Sequence, residues 1–126
     1  MESNRLRVCI GSPAGNEMLK LLGSRGTMDI LCVFCCSNKA VRFTQLSNLL
    51  KHVSTKTLAS RLKELEENGV LKRTAFNEIP PRVEYSMTEK GEKLAESLIP
   101  LIQWVTEWTG DDRKRLTTDQ AALLVR

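Results

Sequence analysis

The chain has 126 residues, 41% hydrophobic and 27% charged, the balance of one folded domain and not of a disordered segment. No apolar run reaches the ~18 residues of a membrane span. The start lacks a signal-peptide pattern, and a single histidine with no Gly-rich phosphate loop leaves the usual enzyme motifs without their residues.

A cytosolic protein that is not an enzyme is therefore expected, with its four cysteines reduced. The net charge of +4 is unevenly spread. Nine basic and four acidic residues lie between Lys39 and Arg82, against ten and eleven elsewhere. Such a segment attracts polyanions, nucleic acid first, although a solvated charged face has the same composition.

Residues 1–15 read as an arm, because Gly11, Ser12, Pro13 and Gly15 break regular structure. Asn16 can cap a short helix, Glu17 to Leu22, that stops at Gly23. A second helix is predicted from Arg25 to Ser37. Ile30, Leu31 and Phe34 form one apolar face, and Met28, Cys32, Cys35 and Cys36 cover most of the other. A helix apolar nearly all round is usually central and buried. Arg42 and Phe43 form a short extended segment. Thr44 caps a third helix with Leu46, Leu49 and Leu50 on one face.

Lys51-His52-Val53 is a tight turn, and Ser54 is a strong cap for a fourth helix. Leu58, Leu62 and Leu65 mark its buried face. Asn68-Gly69 ends it. Two strands follow, Val70 to Asn77 and Arg82 to Met87, joined by Glu78-Ile79-Pro80-Pro81 as a hairpin tip. Thr88 caps a long last helix. Its Leu94, Leu98, Leu101, Val105 and Trp108 make a heptad-like seam, and Pro100 is expected to kink it. Residues 16–108 thus form one domain, and 109–126 a tail.

Two helices joined by a three-residue turn and followed by a hairpin make a winged helix-turn-helix. The fold class is mainly α with a small β-hairpin. In that arrangement the second helix of the pair enters the DNA major groove and the hairpin reaches the backbone or the minor groove. Helix geometry points Lys56, Ser60 and Lys63 away from the leucine face, with Thr55 and Thr57 beside them at the capped end with Ser54. Hydroxyls and a cation on a positive dipole end suit phosphates and base edges. Glu64, Glu66 and Glu67 would repel DNA, so the first two turns are expected to engage it.

Arg42, Thr44 and Gln45 join the candidate DNA-binding set. Arg61 lies on the flank of its helix, where phosphate contact and internal pairing are both open. Arg82 at the wing tip can enter the minor groove or meet a phosphate; the alternative is a salt bridge to Glu78 or Glu84.

These stretches resemble one known family. Arg42-Phe43-Thr44-Gln45-Leu46, Ser54-Thr55-Lys56-Thr57-Leu58 and Arg61 through Val70 look like the HxlR-type regulators, related in fold to the MarR group. The hairpin Glu78 to Gly91 is the most specific match, together with Leu94 through Pro100 to Trp108. The resemblance implies a homodimer built by the terminal helices, here through Leu94, Leu98, Leu101, Trp104, Val105 and Trp108. It also implies a double-stranded DNA partner and an effector input, a small molecule or an oxidant. His52 stands where the family's turn usually has glycine. Histidine enters the left-handed region more readily than most residues, so a backbone role or a phosphate contact is expected of it.

Some relatives sense oxidants through a cysteine near the N-terminus, which makes Cys9 the candidate here. It lies four residues before the family's position, which Pro13 occupies. Cys32 and Cys36 share a stripe close to Asp29, and a nearby carboxylate raises a thiol pKa. Core packing, redox or electrophile sensing and metal binding are the readings for Cys32, Cys35 and Cys36, in that order. The sequence lacks paired CxxC motifs, and no cofactor or metal is expected. A protein-interaction module without sequence-specific DNA binding is the competing function.

Overall fold

A computed structural model of the chain describes residues 12–37 and 39–109. Cys9, most of the predicted arm and the 109–126 tail beyond its first residue lie outside the described residues.

Helix α1 spans Pro13–Leu22. Ser12 is its cap, its Oγ accepting from Gly15 N at 3.1 Å, and Pro13 opens the first turn. Proline is well placed there, because that N–H has no partner within the helix and its fixed φ is already helical. The pair Ser12-Pro13 is thus a start signal and not the break expected from it, and the helix begins before Asn16.

Helix α2 spans Thr27–Cys36. Gly26 precedes it with φ +88°, and a Cβ at that position would lie 3.2 Å from Val53 Cγ1. Glycine here serves both the left-handed turn and the close approach of Val53. Strand β1 is Val41–Arg42, and helix α3 follows at once as Phe43–Leu49. It starts just before the expected Thr44 cap, because Gln45 Oε1 reaches back to accept from Arg42 N at 2.9 Å. Helix α4, Thr55–Glu67, has the expected Ser54 cap, with Thr57 N donating to Ser54 Oγ at 3.1 Å. Gly69, with φ +75°, turns the chain into the sheet.

Strands β2, Leu71–Phe76, and β3, Arg82–Met87, form the predicted hairpin. Leu71 faces Met87 and Phe76 faces Arg82. The two-residue β1 adds to the free side of β3, with Val41 opposite Tyr85, giving an antiparallel sheet of order β1-β3-β2. The wing is therefore tied to the helix-turn-helix through β1, a pairing that two residues in sequence cannot announce.

Helix α5 runs from Glu89 to Thr109 with Pro100 inside it. It starts beneath the sheet. Thr88 Oγ accepts from Gly91 N at 3.1 Å and donates to the carbonyls of Gly69 and Val70.

Ile30, Leu31 and Phe34 of α2 meet Leu46, Leu58, Leu62 and Leu65 in one core with Val41, Val70, Leu71, Tyr85 and Leu98. The expected inner faces of α2, α3 and α4 are all present in it. Two expectations are corrected. The outer face of α2 is only half-buried, since Met28, Cys32, Cys35 and Cys36 retain partial exposure. The seam of α5 also divides. Leu98 is buried in its own domain and Leu94 packs beside it with Ile102. Leu101, Trp104, Val105 and Trp108 are exposed. The reason is that α5 leaves the domain as it proceeds, so its first turns need a core face and its last turns have nothing in the described chain to cover them.

Candidate nucleic-acid interface

The end of α4 nearest Ser54 is the candidate contact surface. Its inner face is anchored by Leu58, Leu62 and Leu65, all at 0% exposure. That anchoring leaves Ser54, Thr55, Lys56, Ala59, Ser60 and Lys63 outside. The free backbone N–H groups of the first turn place a partial positive charge at the same end. Lys56 and Lys63 have no ion pair among the described residues. The helix thus presents cations and small hydroxyls on a rigid, well-packed element.

Thr57 is turned differently from the other cap residues. It is half-buried, its Oγ1 accepts from Ser54 Oγ at 2.9 Å, and its Cγ2 lies close to Gly26. It braces the helix against the start of α2 and offers little to a ligand. Thr44 is exposed on α3, while Gln45 is half-buried and engaged in the start of that helix.

The structure shows internal pairings for the arginines, two of which the sequence leaves open between pairing and DNA contact. Arg61 donates from Nη1 to Glu64 Oε1 at 2.8 Å and from Nε to the Arg25 carbonyl at 3.0 Å. It ties α4 to the loop before α2, the internal pairing that is one of its two readings from sequence. Arg82 lies between Glu78, at 3.3 Å, and Glu84, at 3.4 Å, with its guanidinium 4.1 Å from the centre of the Phe76 ring. Phe76 and Arg82 are directly opposed in the ladder, so register makes this contact. Arg42 faces Glu84 across β1 and β3 and lies 3.8 Å from it. One carboxylate, Glu84, therefore holds two of the candidate DNA-binding arginines against the sheet.

His52 does not adopt a left-handed backbone, since no non-glycine residue among those described has positive φ. Its Nε2 lies 3.5 Å from Asp29 Oδ1, which links the turn before α4 to α2. With Arg61 and Arg82 paired internally, the cations that remain available include Lys51 in the turn, Lys56 and Lys63 on α4, and Lys72 and Arg73, which alternate to opposite sides of the edge strand β2. All are exposed and have no ion pair among the described residues. Helix and strand periodicity do not single out Lys51, Lys72 and Arg73. The signal that points to them is the excess of basic residues between Lys39 and Arg82.

The thiols of α2 are poor nucleophiles. Burial, then the neighbouring Cys35 and Cys36 thiols and Asp29, push Cys32 from its usual 9.0 up to about 11. Burial and then Cys36 push Cys35 up to about 11 as well, and burial raises Cys36. The carboxylate named from sequence contributes, but desolvation is the larger cause. Among the described residues no group of three His, Cys, Asp or Glu side chains could hold a metal ion.

At the far end, Trp104 and Trp108 stack with ring centres 6.4 Å apart and are 57% and 74% exposed. With Leu101 and Val105 they form an apolar stripe on the last turns of α5 that no described residue covers. No described helix is long and apolar enough to cross a membrane.

Known proteins share this architecture. Residues 21–113 match the HxlR-like helix-turn-helix family. An uncharacterized HTH-type transcriptional regulator, YvaP of Bacillus subtilis, is 45% identical over 78 residues, covering 62% of this chain and 72% of YvaP. The reduced form of the transcriptional regulator YodB from B. subtilis superposes with a TM-score of 0.65 at 32% identity, covering 77% of this chain and 93% of YodB. The redox regulator HypR in its oxidized form superposes with a TM-score of 0.60 at 25% identity, covering 79% and 97%.

Proposed function

The chain belongs to the HxlR-like helix-turn-helix family of transcriptional regulators, which are not enzymes, and from that premise we propose that it is a homodimeric regulator that reads specific double-stranded DNA sequences. In this reading residues 16–108, with the Ser12 cap ahead of them, are the working unit. The N-terminal turns of α4 lie in the major groove, and Thr55, Lys56 and Ser60 meet bases and phosphates there. Ser54 holds the helix end, Lys63, Thr44 and Lys51 meet the flanking backbone, and β2 brings one of Lys72 and Arg73, which lie on opposite sides of the strand, to the next stretch of phosphates.

The observation that carries the reading is α4 itself: three leucines at zero exposure fix its inner face, and the outer face is left with unpaired lysines and hydroxyls. Arg42 and Arg82 take a second-stage role. Each can exchange Glu84 for a phosphate once DNA is close, because their pairs are long, at 3.8 and 3.4 Å, and a phosphate offers a stronger partner.

Dimerisation rests on the exposed stripe Leu101, Trp104, Val105 and Trp108. Large apolar patches rimmed by polar residues are seldom left in water, and tryptophan is enriched at the centres of interfaces. Two such protomers place two copies of α4 on one duplex, as in regulators whose operators are palindromic. The solved relatives YodB and HypR are known in reduced and oxidized forms respectively, which supports an oxidant or small-molecule effector as the regulatory input. Cys9 is the thiol to test first, because the three thiols of α2 are held protonated.

The deciding experiment is fluorescence anisotropy with duplex from the chain's own upstream region. Tighter binding than to random duplex is expected, with affinity falling steeply between about 50 and 200 mM salt as counterions are displaced. Equal affinity for both duplexes, or no binding at low salt, would leave the protein-interaction reading in its place.

A further inference from the structure

At the junction of α2, β3 and α5 lies an open pocket of about 190 Å³. Phe34 and Met87 give it an apolar lining, and Ser37 and Ser86 add hydroxyls. Lys39 and Glu92, both exposed residues, also line it. Ser37 is only 6% exposed, and its hydroxyl makes no hydrogen bond with the described residues. That hydroxyl is therefore available to a ligand in the pocket, as donor or acceptor. Lys39 and Glu92 carry opposite charges at one pocket, yet neither forms an ion pair among the described residues. Each therefore has a charge to offer.

The combination is selective. Glu92 repels a simple carboxylate, and Lys39 repels a simple amine. A molecule with both charges satisfies both side chains. Cavities of about 150 Å³ lined by apolar groups admit a body the size of benzene, so this pocket has room for a compact side chain with polar ends toward the mouth. We propose that this pocket binds a small zwitterion with a compact apolar side chain, of the α-amino acid class. The carboxylate lies against Lys39 and accepts from the Ser37 hydroxyl. The ammonium lies against Glu92, and the side chain rests on Phe34 and Met87.

Binding at this place touches the central strand of the wing and the root of α5 together. The proposal deepens the effector part of the function above and rests on it only for a consequence at DNA; the binding event does not depend on it.

The test is calorimetric titration of the full chain, without DNA, with L-leucine, isocaproate and isoamylamine as probes. Saturable binding of one L-leucine per chain is expected, with each single-charge analogue weaker by about tenfold or more. Lys39→Met and Glu92→Gln, at exposed positions that leave the core intact, should each weaken L-leucine by a similar factor. Ala40→Leu, which fills the pocket from its lining, should abolish binding. No saturable binding of L-leucine, equal binding of all three probes, or undiminished binding by Ala40→Leu overturns the proposal. Because no DNA is present, failure here leaves the DNA-reading function standing, and failure of DNA binding leaves this result unaffected.

Discussion

Gly91 is the position where one methyl group has the most to disturb. A Cβ there would lie 2.2 Å from the Val70 carbonyl oxygen and 3.2 Å from its carbon. Ordinary carbon–oxygen contacts are about 3.3 Å or longer, so roughly 1 Å must open between α5 and the chain entering β2. The carbonyl cannot easily retreat. Val70 is fully buried, its N–H donates to the Leu65 carbonyl at 2.9 Å, and its oxygen accepts from Thr88 N at 3.1 Å and Thr88 Oγ1 at 3.2 Å. Relief means displacing the first turn of α5 and stretching the Thr88 bonds. Overpacking of this kind costs about 1–3 kcal/mol, and one or two lost hydrogen bonds add about 1 kcal/mol each. Alanine returns about 1 kcal/mol through its better helix propensity. The net expectation for Gly91→Ala is a loss of about 2–3 kcal/mol, or roughly 10–15 °C in Tm for a domain of this size. Urea and thermal denaturation followed by circular dichroism measure it. Gly23→Ala is the control, since a Cβ there meets its nearest atom at an ordinary 3.5 Å and φ is −83°. If Gly91→Ala matched the wild type within about 0.5 kcal/mol, the close approach that seats α5 on the sheet would be wrong.

Three further outcomes follow from the same geometry. Lys56→Ala should fold normally, weaken duplex binding, and lower the slope of log K against log salt by about one for each protomer that loses a phosphate contact, read by anisotropy. An unchanged slope would remove Lys56 from the interface. Replacing Trp104 and Trp108 together with alanine should shift sedimentation toward the monomer while the circular dichroism spectrum is kept; a wild-type sedimentation coefficient would place the dimer contact elsewhere. Cys32 and Cys35, held near 11, should react slowly with iodoacetamide at pH 8 and speed up about tenfold per pH unit toward 11. The same shift bears on stability. The folded state keeps these protons when the unfolded thiols, at 9.0, have lost them, so their contribution is complete below pH 9 and is lost between pH 9 and about 11. Fast alkylation at pH 7 would contradict the raised pKa that partial burial gives both thiols.

Much of the fold is legible in the amino-acid sequence because its signals are local. Ser54 and Thr88 cap helices where their side chains reach only three residues ahead. The leucines of α4 recur with the helical period, and Val83, Tyr85 and Met87 with the strand period, so each element names its own inner face. The start of α1 is a local signal too: Ser12-Pro13 carries a cap and a first-turn proline, and the neighbouring glycines obscure it. The order of elements is then enough to place α4 at the candidate DNA surface, and with it Lys56, Ser60 and Lys63.

What sequence leaves open are choices among partners far apart in the chain. Arg61 could have faced solvent; the approach of the Arg25 carbonyl, 36 positions away, turns it inward. Arg82 has Glu78, Glu84 and DNA as alternatives, and the ladder register that sets Phe76 beneath it brings it to the two carboxylates in the free protein. The heptad-like pattern of α5 reads as one seam and is two faces, because where the helix leaves the domain depends on the seat made by Gly91 and Thr88. The outward face of α4 that the proposed function uses was thus determined by sequence alone, since periodicity and capping are properties of one helix. Which cations stay free to use it was decided only by the tertiary structure, since an ion pair depends on what the fold brings within a few ångströms.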